Sequence, residues 1–137
     1  MGEVKVRVKL INAVDEGLAR RGQLSPSEIR VYETEATVDT GSISPVLPIH
    51  VVQQLGLALV RKTSATLADA SNIIVDITEP VGISIDGRRT TLEAVVTGDE
   101  VLLGQTVLET VDMLVDCVNH KLVPNPAHPD QPVLKLK

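Results

Sequence analysis

The fold class this sequence predicts is all-β, a sandwich or barrel, and three observations predict it. Short runs rich in Val, Ile and Thr recur along the chain, separated by turns that contain Gly, Pro or Asp. Several of these runs alternate apolar and charged residues with period two, the pattern of a half-buried strand. The core has almost no aromatic material, with one Tyr and no Phe or Trp. Val, Leu, Ile and Ala must therefore fill it, and the many Val and Thr favour strands.

Taken in order, Val4-Lys5-Val6-Arg7-Val8-Lys9-Leu10 alternates strictly and predicts a first strand. Residues 12–26 are polar and contain glycine, which predicts a turn or a poorly packed loop, with Asp15 and Glu16 facing solvent. Strand character returns over 29–38 and runs into Asp39-Thr40-Gly41. Within 48–57, Val51, Val52 and Leu55 have helical spacing, Pro48 can start a helix and Gly56 can stop one. Two short strands, 63–67 and 73–78, enclose the polar tip Ala68-Asp69-Ala70-Ser71-Asn72, a hairpin signal. A clearer one is Asp86-Gly87-Arg88-Arg89 between 81–85 and 91–96. Val101-Leu102-Leu103-Gly104 reads as a short buried strand, 106–113 as a brief helix and 115–123 as a further strand. The tail is Pro-rich over 124–132 and closes with the alternating Val133-Leu134-Lys135-Leu136-Lys137, again strand-like.

At 137 residues the chain is expected to form one domain, 1–137. Net charge is −5 with both signs interleaved, so no basic patch invites nucleic acid. No apolar run is long enough to span a bilayer and the N-terminus lacks a signal-peptide core, so membrane attachment is not expected. One cysteine excludes an internal disulfide and suits a reducing, cytoplasmic setting. Cys117 and His120 are possible metal ligands, but no second pair has zinc-site spacing, and a buried cysteine on a strand is the simpler reading. Neither a metal nor any other cofactor is expected. Gly82-Ile83-Ser84-Ile85-Asp86-Gly87 lacks the spacing of a phosphate loop.

The chemistry rests on Asp39-Thr40-Gly41, which follows an apolar strand. Alone the tripeptide is weak, since a chain of this length contains it by chance about 3% of the time. A strand-ending turn would use the same residues. Its surroundings are more specific. Ala36-Thr37-Val38-Asp39-Thr40-Gly41-Ser42, then Leu47-Pro48 and Leu55-Gly56-Leu57, resembles the first half of the retroviral-type (retropepsin-like) aspartic peptidases. Val101-Leu102-Leu103-Gly104-Gln105 is similar to that family's second signature, and Leu67-Ala68-Asp69-Ala70-Ser71 sits where the family places a flap. The resemblance spans about 34–124, with the core of the domain at about 30–124. It implies half of a closed, pepsin-like β-barrel with one or two short helices.

Members with one such tripeptide work as symmetric dimers, so the resemblance implies a homodimer acting on a peptide or protein substrate. It makes Asp39 the catalytic carboxylate of each copy. Thr40 would bond across the two-fold axis, Gly41 would let backbone and substrate approach, and Ser42 would donate its hydroxyl to the outer oxygen of Asp39. Leu102, Leu103 and Gly104 would pack beneath the loop. Leu67, Ala68, Asp69, Ala70 and Ser71 would form the flap, here without the glycine that many relatives carry at its tip. Ile43, Val46 and Leu67 are candidate pocket walls. The two chain ends would interleave with those of the partner, or pair within one subunit.

The first expected function is an aspartic endopeptidase. The alternative is a catalytically weak or inactive module that binds a peptide or protein on the same fold, favoured by the altered flap. A third is a processing enzyme that cuts itself, for which Arg20-Arg21 within 17–27 offers a place.

Overall fold

The computed structural model describes residues 3–136. Chain order is β1 (Lys5–Asn12), α1 (Ala13–Arg20), a 3-10 turn (Pro26–Glu28), β2 (Val31–Val38), β3 (Val46–Leu47) and α2 (Ile49–Leu55). There follow β4 (Leu59–Thr66), β5 (Asn72–Thr78), β6 (Val81–Ile85), β7 (Arg88–Leu92), β8 (Val95–Val96) and β9 (Leu102–Leu103). The chain closes with α3 (Gln105–Val111), β10 (Met113–Asp116) and β11 (Lys121–Pro124). A nine-stranded sheet runs β4-β5-β8-β3-β9-β2-β1-β6-β7, and β10 and β11 form a separate ribbon. The architecture is mostly β, as expected, with three short α-helices where the sequence predicted one or two.

The core is aliphatic. Leu10, Leu47, Leu55, Ile83, Ile85 and Leu103 are fully buried, with Val8, Val51, Val81, Val107 and Val111 packed among them. Burying one such side chain contributes roughly 1.5–3 kcal/mol. Helix α2 turns Val51, Val52 and Leu55 inward and ends at Gly56 with φ +64°, the left-handed stop its sequence predicts. The β6–β7 turn takes φ +48° at Asp86 and +80° at Gly87, as a tight hairpin turn requires.

Three expectations are corrected. The loop predicted after β1 contains α1, so the first residues of the suggested self-cleavage stretch are helical. Asn12 caps this helix, accepting from the Asp15 amide at 3.0 Å and donating to the Leu55 carbonyl at 2.8 Å. Asp15 and Glu16 do not face solvent freely: Asp15 is buried against Arg30, and Glu16 pairs with Arg89. Fixed by a cap and two ion pairs rather than an apolar stripe, α1 leaves little periodic signal. Second, residues 115–123 make a hairpin rather than one strand. Asp116 accepts from the amides of Val118 and Asn119 at 3.0 and 3.1 Å, turning the chain and leaving Cys117 exposed.

The N-terminal strand β1 pairs within the subunit, one of the two courses expected for the chain ends. It lies between β2 and β6, pairing Lys5 with Thr37 through Ile11 with Val31 on one side, and Lys9 with Ser84 through Asn12 with Val81 on the other. Third, 133–136 form no strand; Lys137 lies outside the described residues. The tail is instead tied to Asp112, which accepts from Asn125 Nδ2 at 2.9 Å and the Val133 amide at 3.1 Å and meets His128 Nδ1 at 2.6 Å. Among the described residues, no helix is long and apolar enough to cross a membrane.

Candidate active site

Strand β2 carries Asp39 at its end, and β9 fixes that end. The two strands run parallel, Thr37 beside Leu102 and Val38 beside Leu103. The Thr37 amide donates to the Val101 carbonyl and the Asp39 amide to the Leu103 carbonyl, each at 2.9 Å. Past the tripeptide the chain returns as β3 on the other flank of β9, with Val46 opposite Leu102. The loop from Asp39 to Pro45 therefore bridges β9, and β9 holds both of its ends.

Inside the loop, the Gly41 amide donates to Asp39 Oδ1 at 3.0 Å and the Ser42 amide to the Asp39 carbonyl at 3.2 Å. The Asp39 side chain is half-buried, whereas Thr40 and Gly41 are exposed. The Ser42 hydroxyl donates to the Ser44 carbonyl at 2.8 Å, not to Asp39 as the resemblance implied, because the turn brings that carbonyl closer.

The start of α3 clamps the loop from below. The amides of Gln105 and Thr106 donate to the carbonyls of Ser42 and Ile43 at 2.7 and 3.1 Å. Gln105 Nε2 donates to the Thr40 carbonyl at 2.6 Å. Gly104 is required by close approach: a Cβ there would lie 2.6 Å from the Ser44 oxygen and 2.7 Å from the Ile43 oxygen. Leu103 is fully buried. Sequence reasoning assigned no role to Gln105, and its position directly after the Leu-Leu-Gly signature was the available signal.

The expected flap is the β4–β5 hairpin, longer than predicted, paired in register from Arg61 opposite Ile77 to Thr66 opposite Asn72, with a shift of register between Arg61 and the Leu59–Thr78 pair. It stands at one edge of the large sheet, with nearly every β4 residue exposed. At its tip the Leu67 amide donates to the Ser71 carbonyl at 2.8 Å and the Ala70 amide to the Leu67 carbonyl at 2.9 Å. Asp69 Oδ1 accepts from the Ser71 hydroxyl and amide, which hold its carboxyl below the usual carboxylate range. Ala70 adopts φ +71°, a conformation that favours glycine. Ala68 is exposed beside it.

The structure thus brings Asp39, Thr40, Gly41, Ser42, Leu103 and Gly104 together. Among the described residues no hydrogen bond joins Leu67, Ala68, Asp69, Ala70 or Ser71 to that loop. Of the candidate pocket walls, Ile43 is 70% exposed, but Val46 is 8% exposed and belongs to the core. A cleft of about 190 Å³ opens beside the loop, lined by Val4, Val38, Thr40, Val115, Cys117 and His120.

No protein-family model matches the sequence, and neither does any curated protein. Solved structures do match in fold. The retroviral protease-like domain of Ddi1 from Leishmania major aligns with TM-score 0.58 at 12% identity, covering 98% of this chain and 96% of that one. EIAV protease, solved in complex with the inhibitor HBY-793, aligns with TM-score 0.53 at 21% identity, covering 79% of this chain and 86% of that one. At these identities the likeness is one of fold.

Proposed function

We propose that this chain, which has the retropepsin-like fold, is one half of a homodimeric aspartic endopeptidase formed by a single domain, 1–137. Asp39 of each copy supplies one of two catalytic carboxylates. The observation that carries this reading is the fixed position of Asp39, at the end of a strand whose last amides bond to β9 and on a loop clamped by the start of α3.

The chain carries one Asp-Thr-Gly, so the second carboxylate comes from a second copy. Two close carboxylates do not ionise together readily, and the pair retains one proton. The ionised member takes a proton from water as that water attacks the scissile carbonyl carbon, and the protonated member gives its proton to the carbonyl oxygen. The tetrahedral adduct then collapses: the C–N bond breaks, the nitrogen receives the proton taken from water, the other carboxylate takes back a proton from one of the two hydroxyls, and a carboxylic acid and an amine leave. The two apparent pKa values belong to the pair. The Asp39–Gly41 hydrogen bond and the clamp on Thr40 hold each carboxylate still, so little reorganisation is needed during reaction.

The substrate is an extended peptide held by main-chain hydrogen bonds, with the β4–β5 hairpin closing over it to exclude water. Thr40, Gly41 and Ser42 shape the loop, Leu103 and Gly104 support it, and Ile43 and Leu67 offer apolar contacts at its rim. A reducing, cytoplasmic setting fits the lone exposed Cys117.

The alternative is a peptide- or protein-binding module without efficient catalysis. The glycine-free tip favours it, since without glycine fewer backbone conformations are open to the hairpin as it closes. Cleavage of a diverse peptide library from mildly acidic to neutral pH separates the two readings. The peptidase reading requires cleavage that a statine-type inhibitor and Asp39→Asn both abolish. Binding of peptides without their cleavage selects the module.

A further inference from the structure

We infer that Asp112, with Arg88, is a positioning residue for the Asp39 loop: bound to the tail, it fixes the far end of α3, whose near end clamps that loop. This rests on the reading of Asp39 above. Helix α3, Gln105–Val111, rises roughly 10 Å and so reaches from the loop to the tail. At its start the amides of Gln105 and Thr106 hold the Ser42 and Ile43 carbonyls, and Gln105 Nε2 holds that of Thr40. Its inner side carries Val107 and Val111, both fully buried. Apolar packing is non-directional. It presses the helix onto the core, but the hydrogen bonds at the two ends set its place along its own axis.

Asp112 closes α3 in the left-handed conformation, φ +58°, where glycine is the usual residue. Its carboxylate adds what glycine cannot. It accepts from Asn125 Nδ2 at 2.9 Å and the Val133 amide at 3.1 Å, and it meets His128 Nδ1 at 2.6 Å. The Asp112 carbonyl also accepts from the Asn125 amide at 3.0 Å. Arg88, buried at the start of β7, ties the carbonyls of Val111 and Asp112 to that of His128. Packing adds little to this junction. A cleft of about 560 Å³ is lined by Leu108, Met113 and Leu114 as well as by Val133 and Leu134, so the tail stands off from the helix. Leu134 is 67% exposed. Polar bonds to Asp112 and Arg88 therefore couple the tail to α3, and α3 couples them to the loop.

Asp112→Gly separates positioning from helix termination, because glycine keeps the left-handed stop and removes only the carboxylate. Asp112→Asn keeps an acceptor in a conformation that Asn tolerates and serves as the rescue. Hydrogen exchange is read at the Gln105 and Thr106 amides, which report the clamp, and at the amides of β1, which report global opening. Limited proteolysis reads release of the tail, and circular dichroism checks that each variant is folded. Asp112→Gly should free the tail and speed exchange at Gln105 and Thr106 by at least about tenfold, with β1 unchanged. Asp112→Asn should stay within about threefold of wild type. Cleavage, measured where sedimentation shows each protein dimeric, should fall about tenfold in kcat in Asp112→Gly with KM little changed. A freed tail beside an unchanged clamp, a tail that stays tied, or equal acceleration throughout β1 overturns the inference. The two readings fail separately. A wild type that cleaves, with a clamp that Asp112→Gly leaves unmoved, overturns the positioning role and leaves the peptidase standing. A clamp that loosens in a protein that cleaves nothing does the reverse.

Discussion

Arg30 closes a two-pronged ion pair on the buried carboxylate of Asp15, Nε to Oδ2 at 2.9 Å and Nη2 to Oδ1 at 3.0 Å. The Arg30 amide adds a third bond to Oδ2 at 3.0 Å. The guanidinium lies over Gly56, where a side chain would collide with it. One carboxylate thereby ties α1 to the segment entering β2, the strand that ends at Asp39.

This pair sets a stability and a pH prediction. Removing one partner of a fully buried pair costs about 3–5 kcal/mol. Arg30 is half exposed, which screens the interaction, so Asp15→Asn should cost about 1–3 kcal/mol at pH 7. The Arg30 hydrogen bonds hold the Asp15 carboxyl below its ordinary value despite burial. Its folded pKa being depressed, this contribution is present above the unfolded pKa of about 3.9 and disappears as pH falls through the folded value. Thermal unfolding of both proteins from pH 7 to pH 3 should show the gap closing below about pH 4.

Ala70 sets a prediction for the tip of the β4–β5 hairpin. A left-handed conformation costs a non-glycine residue roughly 1–2 kcal/mol, partly offset in glycine by greater chain entropy. Ala70→Gly should therefore stabilise the tip by about 0.5–1 kcal/mol, and Ala70→Val should destabilise it, a β-branched residue being worst there. Hydrogen exchange at the Leu67 and Ala70 amides, both bonded within the tip, reads the change.

Gly104 and Gln105 separate loop position from overall stability. Gly104→Ala forces backbone oxygens of the loop aside and should cost about 1–3 kcal/mol. Gln105→Ala removes one exposed hydrogen bond and should cost at most about 1 kcal/mol. Both should lower kcat/KM at least about tenfold by displacing Thr40 and Asp39. Steady-state kinetics beside urea denaturation tests this, and a Gln105→Ala protein that loses stability but no activity contradicts it.

Arg88 anchors the tail. It is 5% exposed and donates to the carbonyls of Val111, Asp112 and His128 at 3.2, 2.9 and 2.5 Å. Arg88→Met should strand these carbonyls, cost about 2–3 kcal/mol and release the tail after Pro124 to limited proteolysis.

The strands and the aliphatic core were legible because alternation and β-branching report burial locally. The helix over Val51, Val52 and Leu55 was legible because its start and stop are Pro48 and Gly56. What stayed hidden depends on distant partners. Helix α1 is held by Arg30 and Arg89, which lie far along the chain from Asp15 and Glu16. The turn in β10–β11 rests on one Asp116 side chain, with none of the usual glycine pairs. The tail alternates like a strand, but Asp112 and Arg88 hold it in another course. Around Asp39 the spacing of the two signatures located the loop, yet the clamp by Gln105 follows from the crossing of β9, which periodicity does not encode.

The central claim is that catalysis needs Asp39 from two copies, and subunit mixing tests it most directly. Wild type and Asp39→Asn are exchanged at equal amounts and constant total concentration, and cleavage of a responsive peptide is measured. If both carboxylates must be intact, only the wild-type homodimer works, and activity falls to about one quarter of the all-wild-type value. Activity of about one half, the value for copies that act independently, would contradict the account.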